Sequence, residues 1–291
     1  MLVTGAGGFV GANLVRRLLA DDRDVVALIR PGGDAWRLDG LDIEVVEADV
    51  REGVPGDFDL VFHLAAHGAY SWQEDEEQIR ETNVRGTMNA LAAGERVIVA
   101  GSSSEYGPKP HAPSEDEPLA PNSAYAEAKA AATALAVERG AVVLRLYSAY
   151  GPWEEPNRLV PTLLGRALQD ELPPLVSPRV VRDFVYVDDV CEAFVRAADA
   201  EPGRVYNVGS GRQTTVAEIV EAVRKLAGVA AEPQWGSMPD RRWDTETWVA
   251  NPQRIRRELG WEARVGLDEG LRRTLDWLES EAPPERYGLP A

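Results

Sequence analysis

Short apolar runs alternate with amphipathic stretches through the first half of the chain. Met1–Thr4 reads as a strand, a glycine turn follows, and a helix is expected from Gly8 to Ala20. Further strands are expected at Asp24–Ile29, Ile43–Glu47, Leu60–Leu64, Arg96–Ala100 and Ala141–Leu146. A long helix is predicted over Gln73–Ala93, where Ile79, Val84, Met88 and Leu91 recur at helical spacing, and an alanine-rich one over Ser123–Arg139. Strands alternating with helices predict an α/β fold, a doubly wound parallel sheet covered on both faces. After Gly151 the rhythm loosens and prolines punctuate the chain. Helices are expected at Leu159–Gln169, Asp188–Ala200, Thr215–Ala227 and Asp268–Glu279, and a strand at Val180–Val187. Thr214–Thr215 is a candidate helix cap, and the Pro-rich last ten residues are expected to be loosely held. The division expected is residues 1–150 as one domain, with 180–208 returning to it, and 151–179 plus 209–291 as a smaller lobe.

Composition narrows the partners. The net charge of −17 opposes nucleic acid and anionic membrane surfaces. Cys191 is the single cysteine, which excludes an internal disulfide and a cysteine metal cluster. No run is apolar enough to span a membrane, and no basic stretch followed by an apolar one opens the chain, so a cytoplasmic location is expected. His63 and His67 straddle a strand end and share no face, so no metal is expected there.

Gly5, Gly8 and Gly11 lie between the first strand and the first helix, as in a Rossmann-type dinucleotide cradle. Glycine lets backbone N–H groups approach a pyrophosphate, and the helix N-terminus favours negative charge. Phe9 and Val10, Asp49 and Val50 after the third strand, and Leu64, Ala65 and Ala66 after the fourth complete the candidate cofactor contacts. The second strand ends at Arg30 where an acid would hold a ribose 2′-hydroxyl, so NADP is expected ahead of NAD, with Asp34 as another candidate for the ribose.

Tyr125 and Lys129 stand four apart at the start of a predicted helix, on one face. Ser102 follows the fifth strand at the carboxyl edge of the sheet, where such sheets bind ligands. A phenol ionises near pH ~10, so a base at neutral pH needs a cation beside it. Tyr125 as acid/base, Lys129 as its cation and Ser102 as hydrogen-bond partner of the reacting oxygen form one constellation.

With these motifs in place the chain resembles the NAD-dependent epimerase/dehydratase family of extended short-chain dehydrogenases. The matching segments are VTGAGGFVG, VFHLAAH, ETNVRGTMNAL, GSSSEYG, YAEAK, LRLYSAYGPW, RDFVYVDDV and YNVGSG. The resemblance implies an enzyme acting on nucleotide sugars, a substrate-binding second lobe, and a homodimer paired through helices near 73–93 and 123–139. Dehydratases of the family carry acids beside the catalytic Ser/Thr, where this chain has Ser103 and Ser104. With dehydration set aside, Arg30 and the NADPH it favours make reduction of a 4-keto nucleotide sugar the expected activity. Epimerisation through a transient ketone with bound NAD is the alternative, and a non-catalytic dinucleotide-binding module a second one.

Candidate substrate contacts are His67, Ser103, Ser104, Arg182 and Arg241, with Arg158 and Arg179 as weaker cations. Tyr150 and Trp153 are candidates to stack on a base or sugar, and Trp235, Trp243 and Trp248 form an aromatic cluster in sequence. Asn83 reads as structural, Cys191 as a small buried hydrophobe, and Glu115–Glu117 as a solvated charge run.

Overall fold

The computed structural model describes residues 1–239 and 245–289. Seven parallel strands form the main sheet: β1 (Leu2–Thr4), β2 (Val26–Ile29), β3 (Glu44–Glu47), β4 (Phe58–His63), β5 (Gly94–Ser102), β6 (Val142–Leu146) and β10 (Val205–Val208). Their order is β3-β2-β1-β4-β5-β6-β10, so the chain reverses direction across the sheet between β1 and β4. Neighbouring strand residues face opposite sides. Val3, Phe62 and Ile98 pack under α1 (Phe9–Ala20) and α6 (Val187–Ala197) on one face. Leu2, Val61, Val97 and Val99 enter a second core on the other face. That face is covered by α2 (Glu76–Arg80), α3 (Gly86–Ala92) and α4 (Ala124–Glu138).

The expected single helix over 73–93 is interrupted. Asp75 caps Gln78 N at 3.0 Å, which starts the helix later, and Glu81–Arg85 between α2 and α3 forms a π turn. Buried Asn83 sits in that turn, donating from Nδ2 to His67 O (2.7 Å) and Ile79 O (2.8 Å). A side chain bonded across the helix ladder is a usual cause of such a bulge.

After β6 the chain leaves the sheet. β7 (Ser148–Tyr150) pairs in parallel with β9 (Phe184–Tyr186), and β8 (Val181–Arg182) pairs antiparallel with β11 (Thr214–Thr215). The expected strand over 180–187 is thus two short strands broken at Asp183. The buried Asp183 carboxylate accepts from Ser210 N (2.7 Å), Gly211 N (3.0 Å) and Ala250 N (2.9 Å), which turns the chain. Helices α5 (Leu159–Ala167), α7 (Val216–Ala227) and α9 (Leu267–Ser280) enclose a separate core around Leu163, Leu164, Ile219 and Leu271. Thr215 caps α7 by accepting from Glu218 N at 3.0 Å. α8 (Gln253–Leu259) packs near β10.

Of the last ten residues, those described, 282–289, are packed rather than loose. α10 (Pro284–Tyr287) brings Tyr287 to 5.3 Å from Trp277, ring centroid to centroid, and Trp153 lies 5.0 Å from Trp277. The structural aromatic cluster is therefore Trp36, Trp153, Trp277 and Tyr287. Trp235 is partly exposed, Trp248 lies elsewhere in the cleft wall, and Trp243 lies outside the described residues. Glu115 is buried, not solvated: it accepts from Asn207 N at 2.9 Å and faces Arg254 at 3.5 Å. No helix among the described residues is long and apolar enough to cross a membrane.

Candidate active site

A cleft of about 620 Å³ opens at the carboxyl ends of β1, β4 and β5, beside the reversal of strand order. Gly5, Gly8, Phe9, Val10 and Gly11 line it from the first turn. Gly5 has φ +66°, and a Cβ there would lie 2.6 Å from Ala65 N, so the turn and the end of β4 touch as only glycine allows. A Cβ at Gly11 would collide with the Gly5 carbonyl oxygen. The cradle thus fits a pyrophosphate held by backbone N–H groups at the start of α1. Gly11→Ala is expected to weaken dinucleotide binding at least about tenfold, ~1.4 kcal/mol, in a fluorescence titration.

Arg30, Asp49, Val50, Leu64, Ala65 and Ala66 line the same cleft. Asp49 accepts both Nε and Nη2 of Arg51, at 3.0 and 2.6 Å, and its carboxyl is held below the usual range chiefly by that bonding, with Arg30 adding to it. Asp34 is engaged: Arg286 Nη1 donates to it at 2.7 Å, and Trp36 N at 3.2 Å.

Ser102 ends β5 and caps the turn Ser103–Tyr106. Its Oγ lies 2.8 Å from Ser104 Oγ, and its N–H donates to Glu105 Oε1 at 2.8 Å. Glu105, fully buried, also pairs through Oε2 with Arg145 Nε at 2.8 Å. The acid next to the serines is therefore bound into the scaffold. Tyr125 opens α4, whose cap is Ser123. Burial pushes the Tyr125 phenol up to about 12, against a hydrogen bond from Ser102 that pulls it down. Lys129, one turn on, is buried and donates from Nζ to Ala100 O at the end of β5. Desolvation lowers it to about 8, with Glu105 opposing.

His67, Ser103, Ser104 and Arg182 also line the cleft. Arg182 is half-buried and donates from Nη1 to Val181 O at 2.6 Å. Arg241 lies outside the described residues. Arg158 reaches the cleft, whereas Arg179 pairs with Glu246 at 2.8 Å on the surface. Neither Tyr150 nor Trp153 presents a stacking face: Tyr150 is buried against Phe184 and Tyr186, and Trp153 belongs to the aromatic cluster. Glu154, Tyr147 and Ser148 line the cleft without having been singled out in the sequence. Their residue types carry no signal: Tyr147 and Ser148 reach the cleft from the start of β7, and Glu154 from the turn after it. Cys191 is buried and its thiol is pushed up by desolvation. No group of three His, Cys, Asp or Glu among the described residues is placed to hold a metal.

Residues 1–209 match the NAD dependent epimerase/dehydratase family. The chain belongs to that family. The UDP-glucose 4-epimerase of Mycolicibacterium smegmatis is 32% identical, with 97% of this chain and 99% of the relative covered. The dTDP-glucose 4,6-dehydratase of Streptomyces griseus is 33% identical, covering 95% and 93%. Among solved structures, MoeE5 in complex with UDP-glucose and NAD superposes with a TM-score of 0.84 at 30% identity, covering 96% of this chain and 98% of that one. The chain is an NAD-dependent enzyme of the extended short-chain dehydrogenase type, acting on nucleotide sugars.

Proposed function

We propose that this chain is a nucleotide-sugar 4-epimerase working through a transient 4-keto sugar with NAD retained in the cleft. The observation that carries this reading is the Ser102–Tyr125–Lys129 set on one cleft, with Glu105, the acid that follows the serines, tied to Arg145. That set suits removal and return of a hydroxyl proton. Elimination of water would need a further acid beside Ser102, and Ser103 and Ser104 stand there. The reductase expectation gives way, because the relatives are epimerases and dehydratases. The NADP expectation from Arg30 gives way with it: the family is NAD dependent, and MoeE5 holds NAD. The positive charge at that end of the cleft already faces Asp49, which leaves less of it for a 2′-phosphate.

NAD, when bound against the glycine turn, Asp49–Val50 and Leu64–Ala66, supplies a hydride acceptor and a positive charge. Tyr125 Oη takes the proton of the sugar hydroxyl as the carbonyl forms, and gives it back as the opposite face is reduced. Ser102 Oγ holds the reacting oxygen through both steps. Lys129 places its ammonium on the Tyr125 face of α4 and favours the phenolate. Arg158 and Arg182 are the cations that would meet the substrate's diphosphate, and His67, Ser103 and Ser104 would line the sugar. A homodimer paired through α2–α3 and α4 belongs to the same reading.

Two outcomes are expected. A cation favours an anionic phenolate, so returning NAD to protein stripped of its dinucleotide should lower the Tyr125 pKa from about 12 by at least about one unit, read as phenolate absorbance of wild type minus Tyr125→Phe. An unmoved titration would remove the proposed activation. Denaturing the purified protein should release NAD in near-stoichiometric amount. An empty protein that turns over only with added NADPH and a keto sugar would overturn the epimerase reading.

A further inference from the structure

The turn after β7 aims an acid at the cleft that the chemistry above does not use. Glu154 lines the cleft and is 4% exposed. Its Oε1 lies 3.7 Å from Arg158 Nε, and its buried Oε2 has no hydrogen-bond partner. A buried oxygen without a partner costs free energy that a ligand group can offset.

The placement is built rather than incidental. Trp153, just before it, has φ +69°, which a bulky residue adopts only where its surroundings impose it. Asn13 Nδ2 donates to Pro152 O at 3.0 Å, and Arg37 Nε to Trp153 O at 2.7 Å. Arg37 Nη2 also pairs with Glu155 at 3.2 Å, and the Arg16 guanidinium lies 4.0 Å over the Trp153 ring. The Tyr287 hydroxyl donates to Glu154 O at 2.6 Å. Three separate elements, α1, the turn that carries Arg37 and α10, therefore hold the segment on which this acid is carried.

We propose that Glu154 is a proton-carrying substrate-binding residue: when the diphosphate of a nucleotide sugar engages Arg158, Glu154 takes up a proton from solvent and donates Oε2–H to the substrate. The inference rests on the nucleotide-sugar reading above. No bond other than O–H forms, and the proton returns to solvent when the ligand leaves. Burial already pushes Glu154 up to about 8, with Arg158 pulling it down and Glu155 pushing it up. The other titratable or charged groups around it are Arg37, Tyr70, Tyr150 and Tyr287. Engaging Arg158 with phosphate weakens its pull, so the bound-state pKa lies above the free one. Binding is then complete below about pH 8 and weakens about tenfold per unit as pH rises above it.

The test is calorimetric titration of the NAD-loaded protein with UDP-glucose and with dTDP-glucose, in two buffers of different ionisation enthalpy, between about pH 7 and about pH 9.5. Wild type should take up about half a proton per ligand near pH 8. Glu154→Gln keeps a donor without a titrating proton. It should bind within about threefold of wild type at about pH 7, with no proton uptake and a flat pH profile. Glu154→Ala should bind about tenfold more weakly at that pH, because the donor is gone. Lys129 also titrates near 8, so uptake that persists in Glu154→Gln belongs to Lys129 and overturns the proposal. Absence of uptake in the wild type overturns it without any variant. If neither nucleotide sugar binds, the nucleotide-sugar reading fails and this inference falls with it. Binding without Glu154-dependent uptake sinks this inference alone.

Discussion

Tyr125→Phe is expected to reduce sugar turnover by about 10³-fold or more, while the protein still holds its dinucleotide. The phenyl ring keeps the packing of the residue that opens α4 and loses only the hydroxyl. Four groups close to it in the fold, Lys129, Ser102, Glu105 and His63, offer no replacement base. Lys129 is bonded to Ala100 O, Ser102 is a hydroxyl, and Glu105 is occupied by Ser102 N–H and Arg145. His63 is buried under the cleft and driven down to about 3 by desolvation, with Nδ1 2.8 Å from Thr4 Oγ1. Steady-state rates together with the dinucleotide content of the denatured variant check this. A variant retaining more than about a tenth of wild-type activity would assign the proton transfer elsewhere.

Arg145→Met should give the largest loss of stability, about 3–5 kcal/mol, because it leaves the Glu105 carboxylate buried without its cation. Arg145 is 4% exposed and Glu105 fully buried. The guanidinium also donates from Nη1 to the Tyr106 hydroxyl (2.9 Å), which in turn donates to Asn207 Oδ1 (2.7 Å). One substitution therefore loosens β5, β6 and β10 together. A fall in melting temperature of about 6–15 °C is expected in a thermal melt. Turnover should fall too, since Glu105 holds the Ser102 backbone. Replacing Glu105 with Leu alongside Arg145→Met should recover a large part of the stability, because no charge is then left buried. It should not recover the rate, because the Ser102 N–H has lost its acceptor. A double variant as unstable as the single one would show that the pair is not the source of the loss.

The parts of this molecule written in local spacing were legible in the sequence. The glycine turn, the Tyr125–Lys129 pair and the serines after β5 each sit within a few residues of a strand end or helix start. Periodicity placed those elements, and the parallel sheet brought their ends to one cleft. What was not legible depends on partners distant in sequence. The break at Asp183 exists because Ser210, Gly211 and Ala250 supply N–H donors. Glu115 looked solvated in its acidic run, yet Asn207 and Arg254 bury it. The chain end looked loose by composition, yet Tyr287 closes an aromatic cluster with Trp36 and Trp277. Glu154 was invisible for the same reason. An acid in a proline-flanked turn reads as surface until Asn13, Arg37 and Tyr287 are seen holding that turn against the cleft.

The measurement closest to the central claim is proton NMR of the reaction in heavy water, with no dinucleotide added, using UDP-glucose and dTDP-glucose in turn. Oxidation and reduction at one carbon by a retained cofactor moves a hydride off that carbon and back without exchange. The expected product is the C4 epimer, carrying no deuterium on any carbon. A 4-keto-6-deoxy sugar labelled with deuterium would mean elimination of water, and would contradict the epimerase account.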